Sequence, residues 1–188
     1  MRKFVFEQNF PSLSYIVNNW PRTKPILKKY IISNSKKPDL FKLVISCLRD
    51  LNFNGYVKQI KTLEKITFIC SKNVNCNTYH DQHHFKAVLI ISCLLAKLIN
   101  LNMDDRFLLV IIALAHDMNH QGRRIVGQPF YQEKKSADAL KKIIYPKILN
   151  HKKWLRIERI FQSTYFPIKP NSVKDDLEKI ILDADVLA

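Results

Sequence analysis

The stretch Phe107-Leu-Leu-Val-Ile-Ile-Ala-Leu-Ala-His116-Asp117-Met-Asn-His120-Gln-Gly122 decides how the rest of this chain reads. Nine residues without a polar side chain, Phe107 to Ala115, deliver a His116-Asp117 pair, and a third imidazole, His120, follows one turn later. A helix that is apolar all round is buried on every side. Carrying a carboxylate into such a setting is costly unless the charge is paired or bound to a metal. Imidazole and carboxylate are natural ligands of a divalent cation. A His-Asp ion pair closing the helix is the alternative that this stretch alone leaves open.

Working outward, a second histidine cluster precedes the first. Tyr79-His80-Asp81-Gln82-His83-His84 leads into a helical pattern that runs to about Asn100, with Val88, Ile91, Leu95 and Leu98 as its stripe. Extended backwards one turn, that stripe reaches His84, and one turn further it reaches His80. Histidines four apart share a helix face, so both can point into one site. His83 lies about 100° off that line and reads as solvated. Asn102–Asp105 is a turn with capping character, so the two histidine-bearing helices should pack antiparallel.

The remaining chain also reads as helical. Leu40, Leu43, Val44, Cys47, Leu48 and Leu51 form an i, i+3, i+4 stripe beginning at Asp39, which Asn52–Gly55 breaks. Residues 56–70 resume the pattern with Val57, Ile60, Leu63, Ile66, Phe68 and Ile69. Further helices are expected over 133–144, over 148–165 with Trp154, Ile157, Ile160 and Phe161 inward, and from about Ser172 to the end. In that last helix Leu177 centres the stripe. Asp185 then lies about 80° from it and Asp183 about 120°, which makes Asp185 the better inward carboxylate. Residues 1–38, punctuated by Pro11, Pro21, Pro25 and Pro38, read as a lead segment with one or two short helices.

The chain's 188 residues suffice for one domain with a real core. Composition is ordinary globular, 47% hydrophobic and 25% charged, and only three glycines favour helices over many-stranded sheets. Four cysteines without a CxxC pair fit reduced thiols. No apolar run is long enough to span a bilayer and no signal peptide is evident, so a cytoplasmic, membrane-free protein is expected. The net charge of +15 permits an anionic ligand, either a phosphorylated small molecule or nucleic acid. Because the lysines are spread along the whole chain, the charge does not favour nucleic acid. Neither metal identity nor oligomeric state is legible.

Five of the six histidines fall between His80 and His120, and the composite His84, His116-Asp117, Asp185 resembles the H…HD…D ligand order of the HD-domain metal-dependent phosphohydrolase superfamily. More narrowly, the segment from Tyr79 to Val88 is similar to the Tyr-His-Asn-x-x-His-Ala-x-x-Val motif of class I 3′,5′-cyclic nucleotide phosphodiesterases. His116-Asp117-Met-Asn-His120-Gln-Gly122 is similar to their His-Asp-x-Asp-His-Pro-Gly. Asp81, Asn119 and Gln121 depart from those motifs. The resemblance covers about residues 40–188 and implies an all-α multi-helix bundle, with residues 39–188 as the catalytic domain and 1–38 packed on it.

It further implies a phosphodiesterase acting on a cyclic nucleotide. One or two divalent ions (Mn, Mg, Zn or Fe) would sit on His84, His116, Asp117 and Asp185, with His80 as general acid. His120 would assist at the phosphoryl oxygens and Glu133 would orient a water. The family's purine-reading glutamine and aromatic clamp lie beyond the counterpart of Asp185, and no residue here is assigned to them, so a C-terminally incomplete domain is one expectation. Alternatives from other residue readings stay open. Nucleoside monophosphate or guanosine tetraphosphate hydrolysis is one, and an inactive basic scaffold for nucleic acid or a protein partner is another. Structurally, His84 as a core histidine, His80 as a cap, or a zinc site on Cys70, Cys76, His80 and His84 would each explain fewer residues.

Overall fold

A computed structural model describes residues 12–33, 37–72, 81–120, 125, 127–166 and 173–188. These residues form an all-α fold of nine helices, with no strand among them. The helices are α1 (Leu13–Asn18), α2 (Lys24–Ile32), α3 (Leu40–Asp50), α4 (Ile60–Lys72), α5 (Gln82–Leu98), α6 (Met103–Ala115), α7 (Tyr131–Ile144), α8 (His151–Ser163) and α9 (Asp176–Leu187). No helix among them is long and apolar enough to cross a membrane.

Side-chain chemistry sets the helix starts. Asp39 accepts from the Lys42 amide at 3.0 Å and opens α3, whose stripe from Leu40 to Leu48 is buried as the periodicity requires. Asn102 opens α6 by accepting from the Asp105 amide, and Asn150 opens α8 by accepting from Lys153. α9 begins with a capping box. Asp175 accepts from the Leu177 amide, while Glu178 reaches back to the amides of Asp175 and Lys174. That box starts α9 four residues later than the expected Ser172, which lies outside the described residues.

α5 is the axis of the bundle, packing on α1, α2, α3, α4, α6 and α9. Its surroundings correct the expected stripe: Phe85, Val88, Leu89 and Ile90 are wholly buried, whereas Leu98 is more than half exposed. A helix covered on nearly every side shows no one-sided period. Even Lys86 is buried on it, its Nζ donating to the Tyr30 and Ser33 carbonyls at 3.0 and 2.8 Å and tying the end of α2 to α5.

Two other expectations shift. Residues 54–59 form a 3-10 segment before α4, which leaves Val57 exposed, and Phe68 also points outward. The inner face of α8 is as read, with Trp154, Ile157, Ile160 and Phe161 all fully buried. α6 runs back along α5 through the four-residue turn Ile99–Asn102, which brings the end of α6 beside the start of α5.

Candidate metal centre

Three helices aim side chains at one point. His84 sits in the first turn of α5, where Asp81 caps the helix by accepting from the His83 and His84 amides at 2.8 and 3.0 Å. His116 and Asp117 follow directly on α6, in a turn closed by Met118 N to Ala115 O at 3.0 Å and His120 N to Asp117 O at 3.0 Å. Asp185 comes from α9, and Asp183 is exposed on the opposite side of that helix.

The donor atoms converge tightly. His84 Nε2 lies 3.2 Å from Asp117 Oδ2 and 3.2 Å from Asp185 Oδ1. His116 Nε2 lies 3.2 and 3.6 Å from the same two oxygens. One ligand atom from each of the four residues falls within 4.8 Å of the others. Ligands about 2.1 Å from a shared ion stand about 3.0 Å apart at a right angle and about 3.4 Å apart at the tetrahedral angle. The observed edges therefore fit a single divalent ion.

Protonation chemistry supports the same fit. His116 Nδ1 is 3.0 Å from the Ala113 carbonyl, which only accepts, so Nδ1 carries the proton. In the neutral ring Nε2 is then an acceptor facing two carboxylate oxygens in a buried site. That arrangement calls for an extra proton or a cation. Burial pushes both imidazoles down, but the neighbouring aspartates outweigh it. Asp117, then Asp185, hold His116 well above its usual value, and His84 is raised by the same pair. Burial also acts to raise Asp185, yet the imidazoles of His116 and His84 beside it hold its carboxyl below the usual range. The negative end of the α6 dipole, just before His116, adds to the preference for positive charge.

Surrounding contacts hold the ligand-bearing turn. Ser136 on α7 donates its hydroxyl to the Met118 carbonyl at 2.7 Å, pinning the turn that carries Asp117. One turn earlier on α7, Glu133 is buried, and its Oε2 has no hydrogen-bond partner among the described residues. Burial raises the Glu133 carboxyl above its ordinary value, and the charge of Asp117 raises it further. The sequence reading named Glu133 but gave no role to Ser136, whose sole signal was its place on the inner face of α7.

His80 lies outside the described residues, as do Tyr79, Cys76 and the stretch 121–124. His120 is half-buried one turn beyond Asp117. His83, expected to be solvated, is half-buried with Nδ1 enclosed, because Asp81 folds its turn against the start of α5. His151 is exposed. The zinc alternative loses its first donor: Cys70 Sγ donates to the Leu114 carbonyl at 3.1 Å, and burial pushes its thiol up to about 12. A neutral buried thiol is a poor metal ligand.

Compared with known proteins, the chain matches no protein-family model, no curated protein and no solved structure.

Proposed function

We propose that this chain is a metal-dependent phosphohydrolase of the HD type that cleaves a phosphate ester, with a 3′,5′-cyclic nucleotide as the first candidate substrate. The observation that carries the reading is the convergence of His84, His116, Asp117 and Asp185 from three helices onto one ion-sized point, in the order H…HD…D. The class rests on that geometry together with the sequence resemblance, and the cyclic nucleotide on the resemblance alone.

When bound, a divalent ion supplies Lewis acidity at phosphorus and a nucleophile at neutral pH. Mixed nitrogen and oxygen ligation suits Mn, Fe, Zn or Mg. The chain's own groups divide the remaining work. His116 is held in one tautomer by Ala113, which keeps Nε2 aimed inward. Asp117 and Asp185 fix the charge balance of the site. Glu133, a buried carboxyl beside Asp117 with a raised pKa, is suited to hold a proton or a water at that edge. His120 stands within a turn of Asp117, where an imidazole can donate to a phosphoryl oxygen. His80 as proton donor to the leaving oxygen is carried by the resemblance; a histidine has the right pKa for that task.

The test is turnover of cAMP and cGMP by protein loaded with Mn²⁺, followed by chromatography, with Asp117→Ala as the matched control. Formation of 5′-nucleotide by wild type alone supports the proposal in full. Metal binding without turnover keeps the site but removes cyclic nucleotides. Nucleoside monophosphates and guanosine tetraphosphate are then the next substrates to try. A second reading, an inactive basic scaffold for nucleic acid, draws on the net charge of +15. It predicts nucleic-acid binding that falls steeply with salt, with no metal bound.

A further inference from the structure

Residues of α1, α2 and α5, together with Leu187 and Ala188, line an open cavity of about 500 Å³. Its floor is Ile91, Leu94, Leu95 and Leu98 of α5, and its wall is Leu27 and Ile31 of α2. Trp20 is the one aromatic residue among the described lining residues. Among the described lining residues no side chain is acidic, and the two polar ones are Lys24 and Lys28, exposed and one turn apart on α2. This size suits a small-molecule site.

We propose that this groove binds a long-chain fatty carboxylate, its alkyl chain along α5 and its carboxylate between Lys24 and Lys28. The lining is aliphatic, so the buried part of the ligand must be aliphatic, since a polar group there would lose its water without gaining a partner. Lysine stems lie along apolar surface while their ammonium groups stay in water, which places two positive charges at the mouth. A monoanionic head matches them, and no acidic side chain among the described lining residues competes. A second copy of the chain is disfavoured because each copy carries a charge of +15. The proposal is independent of the phosphohydrolase reading.

The test is calorimetric titration of the whole chain with palmitate below its micellar concentration, alongside tryptophan fluorescence. Trp154 is fully buried, so an emission change reports Trp20. The proposal expects one palmitate per chain and a shifted Trp20 emission. Lys24→Glu with Lys28→Glu should weaken binding by about tenfold, the scale of two exposed ion pairs. Palmitate methyl ester should bind wild type as weakly as the double variant binds palmitate. Leu98→Asp, at a position already exposed, should abolish binding while leaving the melting temperature unchanged. Three results would overturn it: no palmitate binding, equal affinity for the ester, or a concentration-dependent dimer that Leu98→Asp disrupts.

Discussion

α6 carries an aspartate at each end, and the two ends solve the same electrostatic problem in opposite ways. At its start, Asp105 is gripped by the two terminal nitrogens of Arg156, one of these bonds at 2.8 Å and the other shorter. Arg156 also holds Asp175 with bonds of 2.6 and 2.9 Å, and Arg159 reaches Asp175 and Glu178 at 2.9 and 2.6 Å. Asp105 lies in the first turn of α6, and Asp175 and Glu178 cap the start of α9, where the helix dipole favours negative charge. At the far end of α6, Asp117 and Asp185 face His84 and His116. A guanidinium is always charged, whereas an imidazole pair near neutral pH brings positive charge only if protonated. One end is a permanent clamp across α6, α8 and α9. The other calls for a proton or a cation.

Each end can be broken separately, and the largest effect is expected at the histidine end. Asp117→Ala should reduce Mn²⁺ affinity by more than about 100-fold, beyond the range for losing an outer partner of a ligand, measured by calorimetry. Arg156→Ala should instead cost about 2 kcal/mol of stability in chemical denaturation, since it strips Asp105 of its guanidinium and leaves Asp175 with Arg159 alone while water still reaches the site. Mn²⁺ stoichiometry should not change in that variant. If Arg156→Ala abolishes metal binding in a folded chain, the two ends are not independent.

The ends also differ in the sign of their pH dependence. Asp175 is held low by Arg156, and Asp105 by the same arginine despite its burial. Their contribution is present above the unfolded carboxylate value of about 3.9 and is lost as pH falls through the lower folded values. Asp185 adds to the same acid limb, so Arg156→Ala should shrink that limb without abolishing it. His84 and His116 are raised, so in metal-free protein their contribution is complete below about 6.5 and is lost as pH climbs through the folded values. Mn²⁺ binds the deprotonated ligands, so it should stabilise the fold increasingly over that same range. Melting temperature against pH, with and without Mn²⁺, checks both limbs. The smallest effect is expected for Asp183→Ala, within about 0.5 kcal/mol and with unchanged metal affinity, because that side chain is exposed.

The two ends were unequally legible in the sequence. His84, His116, Asp117 and Asp185 could be found because periodicity says which residues of a helix share a face, and apolar neighbours say which face is inward. The choice of Asp185 over Asp183 followed from a difference of about 40° in helical phase. The arginine clamp left no such trace. Arg156 and Asp105 are 51 residues apart and meet only because α8 and α9 pack across α6. Nor did periodicity find the buried side of α5, since a helix wrapped by six others has no solvent face to break the pattern. The start of α9 was readable in principle, through Asp175 followed three residues later by Glu178.

The most direct test of the cation requirement is crystallographic. Crystals soaked in Mn²⁺ should give an anomalous peak between His84 Nε2, His116 Nε2 and the carboxylates of Asp117 and Asp185, with none at the Arg156 clamp. Well-ordered density for these four side chains with no anomalous peak between them would contradict it. The pair of histidines would then be protonated partners of the two aspartates, and the two ends of α6 would both be structural.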